Sequence, residues 1–280
     1  MAFAQILNAD YPADQPLLSR DELLTEAISA MKILKFTSFL IYTLLAVKFI
    51  IDILIVINSI TNAFLWIDLD LIRNSIHYLW ERFSFVLTSV VILANHNNLE
   101  KLNIDKSFLV LYVVTGIMFG RYYFWPVGWL GLLFTGLIMY MLLKNKFNLK
   151  NHAHPNPATI VVILVIAFCI YWLYVIRFVG TPAIDQYIVL FLMRSPFWVI
   201  EEIIFRGLLW MCLESFGWHH FRIVLVQVLL FWIFHIQYML SDPFLFWLQI
   251  PVLGAFLGIL VWRYKSINPS SVAHILFNLR

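Results

Sequence analysis

The sequence predicts an all-α fold, a polytopic transmembrane helical bundle of about eight spans plus a short C-terminal helix. Three observations predict it. The 280 residues are 62% hydrophobic and only 12% charged, and mean hydropathy is +0.85. Apolar stretches of about 17 to 25 residues, the length that crosses a bilayer as helix, recur along the chain. The third observation is aromatic content, 25 Phe, 12 Tyr and 11 Trp, which suits rings anchoring helix ends at the membrane interface.

Met1 to Pro16 is polar and mildly acidic and lacks the charged, apolar and small-residue order of a cleavable signal peptide. Ser19-Arg20-Asp21-Glu22 reads as a capping box opening a helix. In that helix Leu23, Leu24, Ala27, Ile28 and Met31 form one apolar stripe, as in a helix lying on the membrane surface. Spans are then predicted at Ile33–Ile57, Ile76–Ala94, Phe108–Phe124, Val127–Leu143, Ala158–Phe178, Tyr187–Leu213, Ile223–Leu240 and Phe244–Trp262. A short helix over about Ser270 to Leu279 follows. Three regions result: a polar segment 1–30 with the interfacial helix, N-terminal transmembrane helices over 31–180, and a core over 181–280 that holds the chemistry.

Basic residues in short connections set the orientation. With a cytoplasmic N-terminus, Lys32, Lys35, Lys101, Lys106, Lys144, Lys146, Lys150, Arg222, Arg263 and Lys265 fall inside, against Arg73, Arg82, Arg121 and Arg177 outside. The chain is thus expected to be a multi-pass integral protein of the cell membrane, in contact with lipid. Net charge is only +3 with no long basic tract, so nucleic acid is not an implied partner. Cys169 and Cys212 lie in apolar runs and read as buried small residues, not as a disulfide or thiolate zinc site. His152 and His154 belong to a basic, proline-ended loop and read as solvated.

The chemistry concentrates in the last third. Glu201 and Glu202 are adjacent within an apolar run, where a carboxylate costs from about 2.5 kcal/mol upward, which makes the pair a functional-site candidate. Arg206, four residues on, shares a helix face with Glu202, while Glu201 is turned by roughly 100° toward another neighbour. One carboxylate is therefore neutralised and the other left for chemistry. His235 is read as deep within the seventh span, and His274 and Asn278 share one face of the last helix. Each of these groups needs a polar partner inside the membrane, and convergence on one hydrated cavity satisfies all of them. Lys48 and Asp52, four apart in the first span, are expected to pair or snorkel. Arg194 is read as a counter-ion two turns before Glu201.

Glu201-Glu202-x-x-x-Arg206, Phe231-x-x-x-His235 and His274-x-x-x-Asn278, in that order, resemble the CPBP family of intramembrane proteases, which includes the type II CAAX prenyl proteases. The agreement extends to Gly207 and to Asn268-Pro269-Ser270-Ser271 before His274, and covers roughly Tyr187 to Arg280. Trp232 and Phe234 depart from it, being bulky where many relatives carry small residues, and are expected to narrow the cavity. The resemblance implies an endopeptidase acting on a membrane-tethered protein segment or a small peptide. Hydrolysis needs a base for water and donors for the developing oxyanion. Glu201 and His235 would hold and deprotonate the water, His274 and Asn278 would donate to the oxyanion, and Arg206 would keep Glu202 ionised as structural support. No cofactor is favoured. The alternative is zinc on Glu201, His235 and His274, a two-His, one-carboxylate set. The rival functions are a non-proteolytic scaffold or immunity protein and a proton-coupled transporter, although Gly and Pro are not placed as the paired broken helices of a transporter would require.

Overall fold

The structure is a computed structural model that describes residues 20–61, 69–122, 127–149 and 194–278, and among these all regular structure is helical. Helix α1 (Arg20–Thr61) runs unbroken for 42 residues, about 63 Å at 1.5 Å per residue. The expected interfacial helix and first span are therefore one rod. Helix α2 (Leu69–Ala94) returns alongside it. A single 3₁₀ turn, Leu99–Leu102, leads to α3 (Lys106–Tyr122) and α4 (Val127–Leu143). Helix α5 occupies residues 194–215, with a π-helical turn at Ile203–Leu208 and a final stretch Leu209–Ser215. Helix α6 (His220–Phe234) follows. Helix α7 opens on a second π turn, Leu245–Gln249, and continues as Ile250–Tyr264, and α8 spans Asn268–Asn278.

Two of these helices, at Phe36–Thr61 and Leu245–Tyr264, are long and apolar enough to cross a membrane, and four shorter apolar helices accompany them. Their outward faces are apolar: Phe36, Ile50, Ile60, Leu133, Leu229, Trp247, Val252 and Ile259 are all exposed. That surface would be poorly soluble in water and suits lipid, where helices associate by close packing of small residues. Gly254 and Gly258 supply such packing in α7: an added Cβ would sit 3.3 Å from Phe231 and 3.1 Å from Val224 of α6. Gly116 and Gly120 do the same for α3, where a Cβ would overlap Thr135 and Leu132 of α4.

Tyr112 is a polar side chain tied down inside the bundle. Tyr112 Oη of α3 lies 3.0 Å from Thr88 Oγ1 and 2.8 Å from Ser89 Oγ of α2 and donates to the Phe85 carbonyl, while its ring stacks on Phe85. The predicted span Ala158–Phe178, His152, His154 and Cys169 lie outside the described residues.

Three expectations need correcting. The seventh apolar segment is not one helix: it is helical to Phe234, turns at residues 235–237 and resumes as a short helix at Tyr238–Ser241; His235 is the residue just past the helix end, not one deep within a span. Cys212 is exposed, since it falls on the outward face of the last stretch of α5. Trp232 does not narrow the cavity, because its indole is turned to the next helix and donates to the Phe246 carbonyl at 2.9 Å.

Candidate active site

Helix α5 presents the acidic pair. Glu202 is fully buried and its Oε1 accepts from Arg206 Nη1 at 3.1 Å, the pairing that i, i+4 spacing predicts. Arg206 lies beneath an aromatic lid as well, its guanidinium carbon 4.5 Å from the Phe231 ring centre. Glu201 points elsewhere, into a cavity of about 140 Å³. Its Oε2 accepts no hydrogen bond among the described residues.

A π turn follows the pair in the same helix. Its extra residue moves the backbone hydrogen bond from i−4 to i−5, as in Leu209 N–H to the Ile204 carbonyl, and carbonyls on it turn outward. Side chains from elsewhere take them up. Gln227 of α6 donates to the Phe205 carbonyl at 2.6 Å, and Asn103 donates to the Arg206 carbonyl at 3.3 Å. The second π turn follows the same logic. Pro251 lacks an N–H in the first turn after it, and the Phe246 carbonyl is taken by Trp232.

Helix α8 brings in His274 and Asn278. His274 is buried between the two carboxylates, with Nδ1 2.9 Å from Glu202 Oε1 and Nε2 3.7 Å from Glu201 Oε2. An ionised Glu202 can only accept, so Nδ1 carries the proton and Nε2 faces Glu201. Asn278 donates through Nδ2 to the His274 carbonyl of its own helix at 3.2 Å; the amide has a second hydrogen, and the side chain lines the cavity. Ser270 and Ser271 lock the first turn of the helix by donating to the Ile267 carbonyl.

His235 lines the same cavity from the end of α6. Its Nδ1 is 2.8 Å from the Phe231 carbonyl, which can only accept; Nδ1 therefore holds the proton and Nε2 is the basic nitrogen. The ring is held edge-on to Phe234 and stacked with Tyr238. All four residues singled out for catalysis thus share one cavity, with Glu202 and Arg206 just behind it.

The three residues considered as zinc ligands line the cavity without converging on a point. Among the described residues no three His, Cys, Asp or Glu side chains stand together as a metal-holding set. His274 gives Nδ1 to Glu202 and keeps Nε2 on the side of Glu201.

The lining also includes two cations, which the sequence read only as a local pair with Asp52 and as a counter-ion. Lys48 of α1 pairs with Asp52 at 2.6 Å as expected, but also donates to Gln237 Oε1 at 3.2 Å and caps the Phe234 ring at 4.1 Å. Arg194, at the start of α5, stands at the rim. Spacing identified the Lys48–Asp52 pair, but nothing local to α1 says which helix faces it.

Residues 183–280 match the family model described as Type II CAAX prenyl endopeptidase Rce1-like. Over that segment the chain is similar to the Rce1-like family. The match takes in all three motifs and bears out the resemblance read from them. By that description the Rce1-like family is one of type II CAAX prenyl endopeptidases. Among curated proteins and among solved structures, none matches significantly.

Proposed function

We propose that the protein is an intramembrane endopeptidase that hydrolyses a peptide bond of a membrane-tethered or small peptide substrate with water activated by Glu201 and His235. The observation that carries this reading is the division of labour in the acidic pair: Glu202 is fully buried and held through Oε1 by Arg206 and His274, whereas Glu201 lines the cavity. Nε2 of His235 is the acceptor that complements it, so a water in the cavity can be held by one and deprotonated by the other.

The opposite wall supplies donors. In its protonated form His274 is flanked by two carboxylates and presents Nε2–H toward Glu201 and the reacting centre, and Asn278 offers the second hydrogen of its amide. Both would act on the oxyanion, where removing one donor costs about 10² to 10³ in rate. A substrate would reach this wall from the lipid or from the cytoplasmic side. The eight-span arrangement, the cytoplasmic N-terminus and residence in the cell membrane belong to the same proposal, supported by the basic-residue bias and the apolar outer faces.

The test uses purified protein and a prenylated CAAX peptide with a fluorophore and quencher flanking the scissile bond, alongside membrane proteomics for an uncleaved precursor. Glu201→Gln is expected to lower turnover by about 10² to 10⁴ while leaving the protein folded, because the amide keeps the shape and loses the base. Wild-type turnover should survive extensive chelation. A Glu201→Gln variant that cleaves at the wild-type rate would remove Glu201 from the mechanism, and activity that tracks added zinc would reinstate the metal scheme. If nothing is cleaved and no precursor accumulates, the scaffold reading takes over.

A further inference from the structure

Asn103 stands far from the acidic motif in sequence and outside the matched segment, yet it touches both helices that build the site. It follows the 3₁₀ turn Leu99–Leu102 with φ +55°, in the left-handed region that asparagine tolerates better than most residues. This turns its two polar ends in different directions. The side-chain Nδ2 donates to the Arg206 carbonyl on the π turn of α5. The backbone carbonyl accepts the Ile267 N–H at 2.8 Å, one residue before α8 begins. Ile267 in turn receives the Ser270 and Ser271 hydroxyls and the Ser271 N–H, so the first turn of α8 is hung on this point.

Two neighbours make the anchor stiff. Asp105 accepts Ser266 Oγ at 2.5 Å and the Phe108 N–H at 2.8 Å, tying the same connection to the approach of α8 and to the start of α3. Gly207, next to Arg206, lies so close that a Cβ there would be 3.2 Å from the Leu102 carbonyl. The connection between α2 and α3 is therefore wedged between the carboxylate-bearing helix and the histidine-bearing one.

We propose that Asn103 is a positioning residue for the hydrolysis: it fixes the register of the Glu201–Glu202 turn against the helix of His274, and through that the Glu202–His274 bond and the placement of His274 Nε2 beside Glu201. It touches no reacting atom. The inference rests on the endopeptidase reading for its kinetic consequence but not for its structural one, and the experiment separates the two.

Three variants divide the roles. Asn103→Gly keeps the left-handed backbone and loses the donor; Asn103→Asp keeps shape and backbone and loses the donor; Asn103→Ala loses the donor and disfavours the backbone. In purified protein, hydrogen exchange of the peptide covering 203–210 is expected to rise several-fold in all three, while exchange across 267–274 rises only in Asn103→Ala. With the prenylated CAAX peptide, Asn103→Gly and Asn103→Asp are expected to lose about ten-fold in kcat with KM unchanged, the signature of a displaced catalytic group with intact binding. Unchanged exchange across 203–210 in Asn103→Gly and Asn103→Asp, or loss expressed only in KM, overturns the proposal. If wild-type protein cleaves no peptide, the endopeptidase reading falls, and the exchange pattern still decides whether Asn103 couples the two helices.

Discussion

Arg206 shows how narrow the margin is at the residue scale. Its guanidinium is fully buried, and among the described residues Nε and Nη2 have no hydrogen-bond acceptor; Glu202 and the face of Phe231 hold it. Arg206→Ala leaves Glu202 with His274 as its remaining hydrogen-bond partner, and breaking a buried pair from one side costs about 3 to 5 kcal/mol. The expected outcome is a lower folded yield and a lowered melting temperature in detergent by fluorescence-detected size exclusion. Arg206→Lys should fall between, since it keeps the charge and loses the flat fork that meets carboxylate and ring together. Melting of Arg206→Ala at the wild-type temperature would mean that Glu202 is held by something other than this pair.

Elements explain what residues alone do not. The i, i+4 rule correctly paired Glu202 with Arg206, Lys48 with Asp52, and placed His274 and Asn278 on one face, because those relations are local to a helix. The apolar run placed His235 inside a helix, since such a run does not reveal a turn at residues 235–237. The two π turns were equally hidden. Neither leaves a periodicity signal, and what stabilises them comes from afar: Gln227 to Phe205, Asn103 to Arg206 and Trp232 to Phe246. Gly207 was noticed only as a motif residue, whereas the structure gives its reason, the close approach of the Leu102 carbonyl. Gly207→Ala tests it. Alanine would gain about 1 kcal/mol of helix propensity elsewhere in a helix, but here the Cβ presses on backbone wedged in place by Asn103. The expected net effect is a lower melting temperature with reduced turnover; a stabilised, fully active variant would show that the turn yields freely.

At the scale of the whole molecule, the segment resembling a protease is not self-contained. Trp80 and Lys48, from helices outside the match, line the cavity, and Trp80 packs against Phe234 with ring centres 5.6 Å apart. Lys48 does two things: it pairs with Asp52 in the interior of the bundle, and it grips the turn bearing His235 through Gln237 and the Phe234 carbonyl at 3.5 Å. The two roles separate by substitution. Lys48→Met removes both and strands Asp52, so a loss of about 3 to 5 kcal/mol in stability is expected together with lost turnover. Lys48→Met with Asp52→Leu removes the ion pair as a unit, and apolar replacement of a buried pair is often neutral or stabilising. The double variant is therefore expected to melt near the wild type while turnover stays depressed, because the turn carrying His235 loses its polar tie to α1 through Gln237 and the Phe234 carbonyl. Full recovery of turnover along with stability would show that the N-terminal helix supports the site only by keeping the bundle folded.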